Sequence, residues 1–128
     1  MVKRVNHIGI AVKSIDEALT FYRDSLGLKV SSIEEIPHEG VRVAILPVGE
    51  TRIELLEPLN EQSPLHKILE KRGEGIHHVA FSTNDIREIA KKMKTLGEPR
   101  SGAEGSKITF VHPRDTHGVL VEFCEEKR

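Results

Sequence analysis

Several things are scarce in this chain of 128 residues, and each scarcity removes a class of protein. There is one cysteine, Cys124, so no internal disulfide framework exists and the sequence suits a reducing compartment. Net charge is nearly absent: 19 basic against 20 acidic residues leave a formal charge of -1. With no basic run longer than a Lys/Arg pair, nothing draws the chain toward nucleic acid or an anionic membrane. Long apolar runs are missing, which excludes a membrane-spanning helix. The N-terminus reads directly into a strand with no apolar signal core, and no segment is of low complexity. These absences point to a soluble, cytoplasmic globular protein of one domain, long enough to bury a core without staples. Glutamate outnumbers aspartate sixteen to four, a composition that leans toward a thermophilic source.

What is present is one pattern written twice. Residues 5–12 are β-branched and apolar and read as a strand. Ser14-Ile15-Asp16-Glu17 is a capping box, and Ile15, Ala18, Leu19, Tyr22 and Leu26 follow at helical spacing until Gly27. Strands are expected over 28–36, 41–48 and 51–57, which makes the first unit βαβββ. The second unit repeats it. A strand over 76–83 leads to the capping pair Asp85 and Glu88, and the stripe Ile86, Ile89, Ala90, Met93 and Leu96 ends at Gly97. Strands near 98–101, 107–112 and 119–125 complete it. Between the units, Ser63-Pro64 opens a short linker helix that Arg72-Gly73 closes. The expected organisation is therefore module one at about residues 3–58, the linker helix at about 63–73 and module two at about 75–126.

Four residues of metal-ligand type recur in register within these modules: His7 and Glu54 in the first, His78 and Glu122 in the second. Each stands alone in an apolar strand. Alternation puts Ile8, Ile10 and Val12 on the helix side and His7, Gly9 and Ala11 on the other. In the repeat, Val79 and Phe81 face the helix while His78, Ala80 and Ser82 face away. Each histidine thus shares its face with small residues, as expected if something other than side chains fills the space in front of it. A carboxylate buried on a sheet face without a partner costs several kcal/mol, and a divalent cation removes that cost. Two histidines with carboxylates suit Co, Ni, Zn, Fe or Mn.

The remaining candidates are weaker. His77 points away from the face of His78 and reads as structural or as a donor behind the ligands. His112 and His117 flank the turn Pro113-Arg114-Asp115, where surface residues or a substrate contact are both open. His38 and His66 read as exposed. Cys124 shares the face of Glu122 and reads as a small packing residue. The glycine-rich stretch 102–107 lacks phosphate-loop spacing but offers backbone N–H groups and Lys107 to an anion.

The paired modules and the His/Glu/His/Glu set resemble the vicinal-oxygen-chelate superfamily, which includes glyoxalase I, extradiol dioxygenases and bleomycin-binding proteins. Three segments resemble its methylmalonyl-CoA epimerase family in particular: Ile53-Glu54-Leu55-Leu56-Glu57-Pro58-Leu59 running on to Ser63-Pro64; Gly75-Ile76-His77-His78-Val79-Ala80-Phe81; and His112-Pro113-Arg114-Asp115 followed by Gly118-Val119-Leu120-Val121-Glu122. The resemblance implies an α+β fold whose two tandem βαβββ modules form a curved eight-stranded mixed sheet around a metal site. By position it makes His7, His78 and Glu122 metal ligands, places Glu54 where relatives carry Gln or Glu, and implies a cobalt-type ion, with Zn²⁺, Ni²⁺ or Mn²⁺ as alternatives. It also implies a small acyl-CoA substrate and, from the edge strands of paired modules, a homodimer.

The implied chemistry is proton removal and return at a carbon between a thioester carbonyl and a carboxylate, through an enolate chelated by the metal. Inversion needs proton-transfer groups on two faces. Glu122 resembles one of them. Some family members carry a Glu three residues after the glycine matching Gly40, where this chain has Val43, so Glu54 or a water must take the second role. Lys107 is the candidate contact to the substrate. A glyoxalase I-like lyase acting on a glutathione hemithioacetal would use the same four ligands. An extradiol dioxygenase would have no use for Glu54, and a non-enzymatic ligand-binding member would need none of the four.

Overall fold

In the computed structural model, residues 1–126 are described, apart from the side chain of Glu104. Among them the strands are β1 (Val2–Ala11), β2 (Ser32–Ile36), β3 (Val41–Val48), β4 (Thr51–Pro58), β5 (Gly75–Thr83), β6 (Arg100–Ser101), β7 (Lys107–Val111) and β8 (Val121–Glu125). The α-helices are α1 (Ile15–Leu19), α2 (Pro64–Arg72) and α3 (Ile86–Lys92). The hydrogen-bonded order of the eight-stranded sheet is β2-β3-β4-β1-β5-β8-β7-β6. β5 and β8 are parallel, whereas β2-β3-β4 and β6-β7-β8 are antiparallel runs, so the sheet is mixed and the fold α+β, as the family resemblance implies. Among the described residues no helix is long and apolar enough to cross a membrane.

Packing divides the chain into two compact units: Gly9–His77, and Met1–Ile8 together with the chain from His78 onward. In the first, Ser14 caps α1 by accepting from the Glu17 N–H at 3.2 Å. The fully buried Ile15, with Leu19, Ala18 and Tyr22, packs on Val12, Ala44, Leu46 and Leu55. One α-helix is expected over this stretch, but residues Thr20–Ser25 continue as a π-helical turn in which the Leu26 N–H reaches back to the Phe21 carbonyl at 2.9 Å. The wider turn carries the end of the stripe off the core face. Leu26, expected inside, is 54% exposed. Strand β2 begins at Ser32 rather than 28, because Leu28 and Val30 pack on the core without joining the ladder. Ser63, Pro64 and Gly73 bound α2 where the linker helix is expected.

In the second unit, alternation along β7 and β8 separates two clusters. Val111, Phe123, Val121 and Phe81 meet Ile89 and Met93 of the helix side. Ile108, Phe110, Cys124 and Ala80 form the other cluster. Helix α3 stops at Lys92, short of the expected Leu96, since Met93 is already extended. The Leu96 N–H instead donates to the Phe110 carbonyl of β7 at 2.8 Å.

Gly40 ends a short turn at φ 70°, and a Cβ built there would lie 3.1 Å from the Ser63 Oγ that caps α2. Gly40→Ala is expected to destabilise the chain by about 1–3 kcal/mol, read as a lower urea midpoint at unchanged m-value; an unchanged midpoint would contradict this account of the turn.

Candidate metal centre

Three strands of the second unit each deliver one polar side chain to a single point. His7 comes from β1, His78 from β5 and Glu122 from β8, at 3%, 4% and 4% exposure. The parallel register pairs Ala80 with Glu122 and Phe81 with Phe123. That register keeps Ala80 and Glu122 together and sends both phenylalanines to the helix side. The Nε2 atoms of His7 and His78 are 2.9 Å apart. Glu122 Oε1 lies 3.2 Å from His78 Nε2, and Oε2 lies 3.4 Å from His7 Nε2. Donors bound to one divalent ion at ordinary nitrogen and oxygen bond lengths stand about 3.0–3.4 Å from each other. Two imidazoles and a carboxylate in this arrangement therefore fit such an ion in both chemistry and spacing.

The carboxyl of Glu122 feels opposing effects. Burial pushes it up. The hydrogen bond and charge of His78, the charge of His7 and the hydrogen bond from Cys124 together outweigh burial and hold it below the ordinary carboxylate range. Cys124 Sγ donates to Glu122 Oε2 at 2.8 Å. Cys124 packs in the core as expected, but it also touches the site, and its donor atom groups with those of His7 and Glu122 within 4.8 Å. Its place two residues after Glu122 on the same strand face is the signal that could have revealed this contact.

The space beside His78 is less open than the small neighbours Ala80 and Ser82 suggest. Phe110 of β7, opposite Glu122 on β8, stands edge-on to its ring, with centroids 6.1 Å apart. Behind His7, the Asn6 Oδ1 lies 2.7 Å from Nδ1. Sequence reasoning passes over Asn6 because period-two alternation assigns neighbouring residues to opposite faces.

Glu54 belongs to the other unit. It lies on β4 opposite Ile45, is 3% exposed, and its Oε2 is 3.3 Å from Arg52 Nη2. The sequence reading treats Glu54 as standing alone, and the structure supplies Arg52, two residues earlier on the same strand, as an ionic partner. Val43 is buried at 1% and offers no proton-transfer group. Lys107 is exposed at the start of β7, in register with Ser101 and Glu125. The preceding loop closes on itself through Gly102 N–H to Ser106 carbonyl at 2.8 Å. His112 accepts the Arg114 N–H at 3.0 Å and so caps its turn. His117 and His38 are exposed, His66 is half-buried beside Glu70 at 3.7 Å, and His77 is half-buried.

The model of the Glyoxalase/Bleomycin resistance protein/Dioxygenase superfamily matches residues 4–123, and the chain belongs to that superfamily. Within it, the chain is 39% identical over 130 residues to the ethylmalonyl-CoA/methylmalonyl-CoA epimerase of Cereibacter sphaeroides, covering 95% of this chain and 97% of that protein. A variant methylmalonyl-CoA epimerase of Streptomyces coelicolor in complex with 2-nitronate-propionyl-CoA superposes with a TM-score of 0.91 at 42% identity, over 97% of this chain and 94% of that one. A methylmalonyl-CoA epimerase in complex with methylmalonyl-CoA and NH4+ gives 0.89 at 41% identity, with the same 97% and 94% coverage.

Glu126, at the edge of the unit, is held below the ordinary carboxylate range, first by the Ser82 hydroxyl and, against some desolvation, by Arg4 and Asn6. A depressed carboxyl stabilises the fold above its unfolded pKa, and that contribution is lost as pH falls through the folded value. Thermal unfolding followed from neutral to acid pH should therefore show a fall below the ordinary carboxylate range that Glu126→Gln makes shallower. An identical acid profile in the variant would contradict the assignment.

Proposed function

We propose that this chain interconverts the (R) and (S) forms of methylmalonyl-CoA by removing the proton at C2 to a group on one face and delivering a proton from a second group on the opposite face. The observation that carries the reading is the buried set His7, His78 and Glu122, whose donor atoms lie 2.9 to 3.4 Å apart. Chain-long similarity to epimerases supports it and favours it over a glyoxalase I-like lyase or a binding protein.

The C2 proton sits between a thioester carbonyl and a carboxylate, so its removal leaves charge that spreads onto the thioester oxygen. A divalent ion held by His7, His78 and Glu122 supplies the positive charge that such an oxygen needs. Cobalt(II) is our first assignment, with zinc, nickel and manganese accommodated by the same ligands. Glu122 stays ionised at neutral pH and is our assignment for one of the two proton-transfer groups, its carboxylate held in place by His78 and Cys124. By its family position, Glu54 is the candidate for the second proton-transfer role. Val43, buried and apolar, leaves that role open to it. Lys107 is assigned to the anionic part of the CoA ester on its charge and exposure. A homodimer is proposed from β2 and β6, which end the strand order, and a cytoplasmic location from the single buried thiol of Cys124.

The test is exchange in deuterium oxide. Cobalt-loaded protein with either epimer of methylmalonyl-CoA should place deuterium at C2 and generate the other epimer, and should leave a glutathione hemithioacetal unchanged. Absence of C2 exchange, together with turnover of the hemithioacetal, would overturn the reading.

A further inference from the structure

Behind His7 runs a chain of polar side chains, all in the unit formed by Met1–Ile8 and the chain from His78 onward. The Arg4 guanidinium donates to Glu126 Oε1. The Ser82 hydroxyl donates to the same oxygen at 2.7 Å. Asn6 Nδ2 reaches Ser82 Oγ at 3.0 Å and Glu126 Oε1 at 3.1 Å, and Asn6 Oδ1 meets His7 Nδ1 at 2.7 Å. Asn6 and Ser82 are 4% and 0% exposed, while Arg4 and Glu126 form the half-open end.

The direction of every bond follows from its chemistry. An ionised carboxylate only accepts. Ser82 must therefore spend its single hydrogen on Glu126, which leaves its lone pairs to accept from Asn6. The amide nitrogen of Asn6 is thereby directed to Ser82 and Glu126, and its carbonyl oxygen turns to His7. A carbonyl oxygen only accepts, so the proton at that contact belongs to His7 Nδ1. A neutral imidazole carries one proton, and Nε2 is left with its lone pair facing His78 and Glu122.

We propose that the Arg4–Glu126–Ser82–Asn6 relay is a positioning device that fixes His7 as the Nδ1–H tautomer and aims its Nε2 lone pair at the metal centre. His7 Nε2 and Glu122 Oε2, 3.4 Å apart, are two acceptors facing the same point, which a cation reconciles. Partners behind a ligating histidine set its tautomer and its orientation together. The proposal deepens the metal-centre reading above and rests on it for its consequence, but the tautomer itself can be measured without metal.

The experiment uses nitrogen-15-labelled histidine in the full chain, read by NMR in the metal-free state, alongside Co²⁺ affinity from chelator competition. Wild type should show the Nδ1–H tautomer at His7. Asn6→Leu should lose that single signature and bind Co²⁺ about ten- to a hundredfold more weakly. Asn6→Asp combined with Glu126→Gln moves the carboxylate to the other end of the bond and keeps an acceptor against Nδ1. This double variant should restore both tautomer and affinity, and it decides the matter should Asn6→Leu fail to fold. An Nε2–H tautomer in wild type, an unchanged tautomer and affinity in folded Asn6→Leu, or loss of both in the double variant overturns the proposal. A wild-type chain that shows the expected tautomer but takes up no Co²⁺ overturns the metal reading and, with it, the role given to the relay.

Discussion

Glu122 sits at 4% exposure with an imidazole nitrogen 3.2 Å from one oxygen and another 3.4 Å from the second. A carboxylate taken that far from water is costly unless hydrogen-bond donors or positive charge meet it. The His78 ring and the Cys124 thiol meet it directly, and the His7 ring stands beside it. A divalent ion would meet it better, since its charge needs no proton on either ring. Much of the local architecture follows from holding these groups together away from solvent.

Strand register is what holds them. In the parallel pairing of β5 and β8, Phe81 stands opposite Phe123 and Ala80 opposite Glu122. A slip of β8 by one residue would turn Glu122 to the helix side and Phe123 to the site. The apolar cluster around Ile89, Val111 and Phe123 therefore positions the site as well as stabilising the unit, because a one-residue slip would take Phe123 out of it. The antiparallel partner β7 adds Phe110 beside His78, narrowing what can stand in front of that ring.

The repeat, the three capped helices and the three residues that converge were legible in the sequence, because each leaves a local mark: a period of two, a capping residue ahead of a period near 3.6, or one ionisable type among apolar neighbours. The π-helical turn was not legible, since Ile15, Leu19 and Tyr22 satisfy either helical period until Leu26, where they diverge. Helix α3 ends early for a reason outside its own sequence, the claim of Phe110 on the Leu96 N–H. Asn6 escaped for the same kind of reason. Its partner Ser82 is 76 residues away, and a hydrogen bond of that span has no periodic signature. Arg52 was open to discovery, being two residues from Glu54 on one strand, but charge on a strand reads as solvent exposure until burial is known. His112 shows the reverse case: a chemically suggestive residue whose observed contact is the capping of its own turn.

Fold and chemistry thus meet in one claim, that His7, His78 and Glu122 are together because they hold a metal ion. The most direct test is the metal content of purified chain after loading with Co²⁺ and removal of excess, compared between wild type and His78→Ala at matched far-UV circular dichroism. The account predicts one ion per chain in wild type and background levels in the variant. A folded His78→Ala chain that retains one ion, or a wild-type chain that retains none, would contradict it.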